Sequence, residues 1–221
     1  MTSGVTPAGA SVAGASSGTL RAAWRPMTGW SRALVAVAAS SLGLLYLLPL
    51  WSIGLKAPQY PEGLGMYIWV DRITGQRAHE LQSINGLNHY IGMKAIVPES
   101  IPELRIMPVL IGALIATGLL VALWGKRRAL YAWVALFALG ALAGLGDFWR
   151  WGYDYGHDLN PHAAIRIPGL TYQPPLLGTK QLLNFQATSW PATGGWVVVA
   201  ALALVAGLAF REWRLARSSA G

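Results

Sequence analysis

The sequence predicts a mainly α protein: a bundle of four transmembrane helices with both termini on one side and two long loops forming a small domain on the other. Three observations carry this reading. The 221 residues are 54% apolar and only 12% charged, a balance foreign to an ordinary soluble domain. Four apolar stretches free of internal charge recur along the chain, each close to or above the ~18 residues needed to cross a hydrocarbon core of about 30 Å. The basic residues that flank these stretches fall on alternate sides of successive spans, which sets an orientation.

The elements follow in order. Residues 1–30 form an N-terminal extension, and its first part, Met1 to Thr19, is rich in Ala, Gly, Ser and Thr with no acid, the composition of a disordered segment. Residues 31–55 are the first span, uncharged beyond Arg32. This run exceeds the roughly 7 to 15 residues of a signal-peptide core, and Gly54-Leu55-Lys56-Ala57 is a poor cleavage site, so the span reads as an uncleaved signal anchor. Residues 56–106 are the first outer loop, 107–124 the second span, 125–128 a tight turn and 129–148 the third span. Residues 149–192 are the second outer loop, 193–210 the fourth span and 211–221 a tail. Gly112 with Ala116, Gly140 with Gly144, and Ala203 with Gly207 are small-residue pairs expected to let the helices approach closely.

Charge decides the sidedness. Arg21, Arg25, Arg32, Lys126, Arg127, Arg128, Arg211, Arg214 and Arg217 all belong to one face, where Glu212 is the one acid. That face therefore carries the whole net charge of +8, and basic residues near spans resist translocation, which makes it cytoplasmic: N-in, C-in. The basic composition is thus a signature of topology, and the partner it implies is the lipid bilayer of a bacterial cytoplasmic (inner) membrane, with no nucleic acid. Zero cysteines exclude disulfides, thiolate metal sites and a cysteine nucleophile. The spans hold no ionisable residue between their ends, which argues against a proton-coupled pump, an ion-coupled transporter or a membrane-embedded b-type haem.

The chemistry is left to the outer loops, where all four histidines fall: His79, His89, His157 and His162. In the first loop, Met66 to Val70 is strand-like and Gln76 to about Met93 is expected to be helical. On that helix Leu81, Ile84, Leu87 and Ile91 share one face, while Asn85, His89 and Met93 share another at i, i+4 and i+8 with His79 nearby. Imidazole and thioether four residues apart suit Cu(I) in a chain without cysteine; the same residues also suit plain packing at a helix end. In the second loop, aromatics and then histidine occupy every second position from Trp149 to His157. Asp147, Asp154 and Asp158 lie near His157 and His162, where they are able to join a metal site, orient imidazoles, or pair with Arg150 or Arg166. The candidate metal ligands are therefore His89, Met93, His157, His162, His79, Asp158 and Asp147. Residues 167–180 are extended but too rich in apolar and aromatic groups for disorder, and are expected to fold against the first loop or a partner. No hydrolase, phosphate-loop or dinucleotide signature is present, and catalytic activity is left open.

Three segments together carry a resemblance: Tyr60-Pro61-Glu62-Gly63-Leu64, Leu87-Asn88-His89-Tyr90-Ile91-Gly92-Met93-Lys94, and Gly146-Asp147-Phe148 with His157-Asp158 and Pro161-His162. The chain resembles, over roughly residues 56–190, the small multi-span membrane proteins encoded beside nitrous oxide reductase and its copper-handling lipoprotein in denitrifying bacteria. The resemblance implies an accessory role in copper supply or maturation of a periplasmic copper enzyme, and it carries over no catalytic residues. Two other readings remain: a non-metal scaffold or subunit that docks a periplasmic or membrane oxidoreductase within a membrane complex, and a subunit of a copper membrane monooxygenase.

Overall fold

A computed structural model describes residues 26–218 except 166, 168, 170 and 183. The N-terminal extension up to residue 25, with Arg21 and Arg25, lies outside the described residues, as does Arg166. Helix α1, Gly29–Ser41, opens on Thr28, whose side chain accepts a hydrogen bond from Ser31 N, and passes into a 3-10 turn over Leu42–Tyr46. Strand β1 follows at Trp51–Ala57, then β2 at Tyr60–Ile68, β3 at Ile73–Gly75 and helix α2 at Glu80–Ile91. A second 3-10 turn, Pro98–Ser100, leads into α3, Glu103–Trp124, and α4, Arg127–His157. Strands β4, Gly178–Leu182, and β5, Phe185–Pro191, precede the last helix, α5, Thr193–Ser218.

Three helices, α3, α4 and α5, are long and apolar enough to cross a membrane, and the chain is a multi-pass membrane protein on that ground. The bundle core is built by Val35, Ala38, Ala39 and Leu42 of α1, Val121 and Ala122 of α3, Leu130, Trp133 and Phe137 of α4, and Ala201, Val205 and Leu208 of α5. Leu110, Leu123, Leu136, Leu139, Leu142 and Val199 are exposed on its outside, as hydrocarbon solvent requires. The close approach is made by Gly118: a Cβ there would stand 2.5 Å from the Trp133 ring and 2.8 Å from the Ala39 Cβ. Of the small-residue pairs expected from sequence, Gly112 meets a neighbour, where a Cβ would stand 3.2 Å from the Tyr46 hydroxyl, while a Cβ on Gly140, Gly144 or Gly207 would meet nothing within 4 Å among the described residues.

Both loops join one five-stranded antiparallel sheet in the order β3-β2-β1-β5-β4. The end of the first apolar run supplies β1, the first loop β2 and β3, and the second loop β4 and β5, so the two loops lie at one end of the bundle. This sheet was outside the sequence reading in all but β2. Strand β1 starts at Trp51, within the run read as the first span, so the helical part of that segment stops at Tyr46. Likewise α4 continues through His157, past the boundary expected at Phe148. Ile53, Leu64, Met66, Ile73, Ile84, Ile96 and Leu104 form a second core between sheet, α2 and the start of α3. The sheet is continuous with the bundle: Gly194 N donates to Pro49 O at 2.8 Å, and a Cβ on Gly195 would stand 2.4 Å from Leu50 O.

The opposite end gathers the bases. Met27 N donates to Gly125 O at 2.6 Å. Arg32 Nε and Nη2 donate to Ala122 O and Leu123 O at 2.8 and 2.7 Å, covering carbonyls that the end of α3 leaves without helical partners. Glu212, fully buried, accepts from Arg127 Nε at 2.8 Å, Ser31 Oγ at 2.6 Å and Thr28 Oγ1 at 3.2 Å. The acid that sequence reading treated as one charge among nine bases thus ties α5 to the starts of α1 and α4.

Candidate functional site

Helix α2 positions most of the candidate ligands. Its first turn is anchored by buried Glu80, whose Oε2 accepts from Arg77 N at 2.9 Å and Gly65 N at 3.2 Å. Its inward face carries Ile84 and Asn88, with Leu81 and Leu87 packed partly against the sheet core. Its last turn ends at Gly92, a left-handed residue with φ of 82° that only glycine adopts without strain. The chain then changes direction, with Met93 N donating to Asn88 O at 2.9 Å. His89 and Met93 therefore do not share a helical face: the helix stops before Met93, His89 is exposed, and Met93 turns into the interior.

The second loop docks on this same turn. Asn160 N donates to Gly92 O at 2.8 Å and Ile165 N to Tyr90 O at 2.9 Å. A Cβ on Gly92 would stand 3.0 Å from both Asn160 O and Ala163 Cβ, so the contact needs glycine. Lys94 Nζ donates to Asp158 Oδ2 at 2.5 Å, and this partner holds the Lys94 ammonium above its ordinary pKa. Because both groups are largely exposed, the pair contributes little to stability. A raised lysine pKa adds stability that is complete at neutral pH and is lost only as pH rises through the alkaline lysine range. His162 sits in the docked segment, with its N–H donating to Asn160 Oδ1 at 2.9 Å.

The other candidates lie elsewhere. His79 precedes α2 at φ 64°, its Nδ1 3.1 Å from Gln82 Oε1, at the far end of the helix from His89. His157 ends α4, stacks on Tyr153 with ring centroids 3.8 Å apart, and has its Nδ1 2.9 Å from Tyr153 O. The alternation from Trp149 to His157 is helical and so splits into two rows: Trp149, Tyr153 and His157 stack in one, Trp151 and Tyr155 in the other. Asp147 lines a cavity of about 130 Å³ between α3, α4 and the sheet, together with Glu103, Arg150 and Asp154, away from the docked turn. Among the described residues, no three His, Asp or Glu side chains gather as a metal site. Ser189 is fully buried, donates to Leu176 O and accepts from Trp51 Nε1, so it holds β5 in place and offers no nucleophile.

A second cavity, about 90 Å³, lies between β1, β2, β5, α2 and the sheet end of α4. Its walls are apolar and aromatic, including Ile84, Trp151 and Tyr155, and both Met66 and Met93 line it. Tyr172 closes it from the second loop, with Tyr172 N donating to Gly156 O at 3.0 Å. Tyr172 is 4% exposed, and its hydroxyl has no hydrogen-bond partner among the described residues. The sequence does not bring Met66 and Tyr172 together, because only strand register and a long-range contact place them at one cavity. Compared with known proteins, the chain matches no family model and no curated protein.

Proposed function

We propose that this protein is an integral membrane accessory protein that handles copper at its sheet end, on the extracytoplasmic side of a bacterial inner membrane. In this reading it supplies or matures a copper-containing respiratory enzyme of the nitrous oxide reductase kind. The observation that supports the reading is the docked turn: His89 and Met93, whose side chains diverge, flank Gly92, whose carbonyl accepts from Asn160 N, two residues before His162. In a chain without cysteine these are the donors suited to Cu(I). The four-span arrangement belongs to the same reading. Helix α1 and its 3-10 turn have 13 and 5 residues, which extend about 20 and 10 Å, together about one hydrocarbon thickness.

The test is anaerobic titration of the detergent-purified protein with Cu(I), beside a His89→Ala, Met93→Ala double variant. Stoichiometric binding by the wild type, weakened in the variant, supports the reading. No binding above background removes it and favours a second one, a scaffold that docks a membrane or periplasmic oxidoreductase. That alternative has its own observation: Tyr90, Ile165, Ile167 and Leu177 are large apolar side chains left exposed on the outer domain.

A further inference from the structure

We infer that the 90 Å³ cavity is itself a Cu(I) site, with the thioethers of Met66 and Met93 as its ligands. This rests on the copper-handling reading and moves the metal from the histidines to the interior. Size limits the occupant first. An apolar cavity of about 150 Å³ accepts a benzene-sized ring; this one, at about 90 Å³, suits a single ion or a molecule of a few atoms.

Chemistry narrows it further. Among the lining residues Asn88 is the one with a polar amide side chain, its Nδ2 donating to Lys94 O, and there is no Asp, Glu, His, Lys or Arg, far short of the carboxylate, carbonyl-rich or water coordination that a hard divalent ion needs. Two thioethers in one apolar chamber are the ligand type that selects a soft monovalent ion. The cost of desolvating an ion rises with the square of its charge, so a monovalent ion bears about a quarter of the divalent penalty. Trp151 and Tyr155, whose ring centroids are 4.3 Å apart, line the same chamber and present the aromatic surface that attracts a desolvated cation.

A second, independent observation says the chamber is built to be filled. Among the described residues, two lining residues, Tyr172 and Trp151, keep a buried hydroxyl and a buried indole N–H without a hydrogen-bond partner, an arrangement that protein interiors seldom keep unless something else occupies the space. The second loop closes the chamber, with Tyr172 N donating to Gly156 O at 3.0 Å.

The test separates this inference from the reading it rests on. The full-length protein is titrated with Cu(I) without oxygen, and the loaded wild type is examined by X-ray absorption at the copper edge. Met66→Leu and Met93→Leu are compared with Met107→Leu, which sits in the bundle core away from the chamber. The expected result is a sulfur shell around copper, and affinity lowered about tenfold or more by each of the first two substitutions but not by the third. Met66 takes no part in the docked turn, so its effect is the discriminating one. Binding by the wild type that survives both leucine substitutions, or a shell of nitrogen and oxygen alone, overturns the inference and leaves copper handling at the docked turn standing. Absence of wild-type binding overturns both. The absorption spectrum needs no variant, so a misfolded substitution does not spare the proposal.

Discussion

Glu212 has no exposed surface, and Arg127, whose Nη1 is buried and unpartnered, depends on it for charge balance. Removing one member of a buried pair leaves the other charge without compensation, which costs about 3 to 5 kcal/mol. Glu212→Ala is therefore expected to lower the unfolding free energy by about that amount, measured by denaturant titration in detergent, whereas Arg214→Ala, an exposed cation, is expected to change it by about 0.5 kcal/mol or less. The sequence places Glu212 on the basic face but says nothing of its burial, because burial follows from α1, α4 and α5 meeting at one point. His89 and Met93 teach the converse lesson. Their spacing suggested a shared helical face, yet Gly92 between them was a visible stop signal, and the structure ends the helix there.

At the scale of elements, the spans were legible because lipid demands long apolar runs, and α3, α4 and α5 follow them. The sheet was not, because β1 pairs with β5 across more than a hundred residues and neither strand carries its partner in its own pattern. Helix contacts were read only halfway: small residues do permit close approach, but Gly118 makes it and Gly140 does not. This yields a paired expectation. Gly118→Val forces Trp133 and Ala39 apart and should destabilise the bundle by about 1 to 3 kcal/mol, while Gly140→Val, facing open space, should leave the thermal midpoint within about 2 °C. Thermal melts followed by circular dichroism distinguish the two. The sheet end of α4 behaves similarly in the second loop: a Cβ on Gly156 would stand 2.4 Å from Gln173 N, so Gly156→Ala should release the Tyr172 segment and raise its protease cleavage rate.

For the whole molecule, one core runs through the bundle and another lies under the sheet, and α4 is a wall of both: it gives Leu130, Trp133 and Phe137 to the first, and Phe148 and Trp151 to the second, where Phe148 lies against Trp51 of β1. Shared walls of this kind predict a single cooperative transition. Tryptophan emission and far-ultraviolet dichroism are expected to report the same midpoint on heating, and separate midpoints would show that the sheet unfolds alone. The sequence reads the two loops as one small domain, and in the structure the sheet that joins them closes through the pairing of β1, at the end of the first apolar run, with β5. The central strands of that body grow directly from membrane helices: β1 begins five residues after the turn that ends at Tyr46, and β5 ends two residues before α5 starts. With Gly194 and Gly195 pressed against the carbonyls of Pro49 and Leu50, no slack remains for a hinge. A displacement of the sheet is therefore carried into the helices that continue from it, and a load applied at the sheet end is expected to register at the basic end as a change in helix inclination.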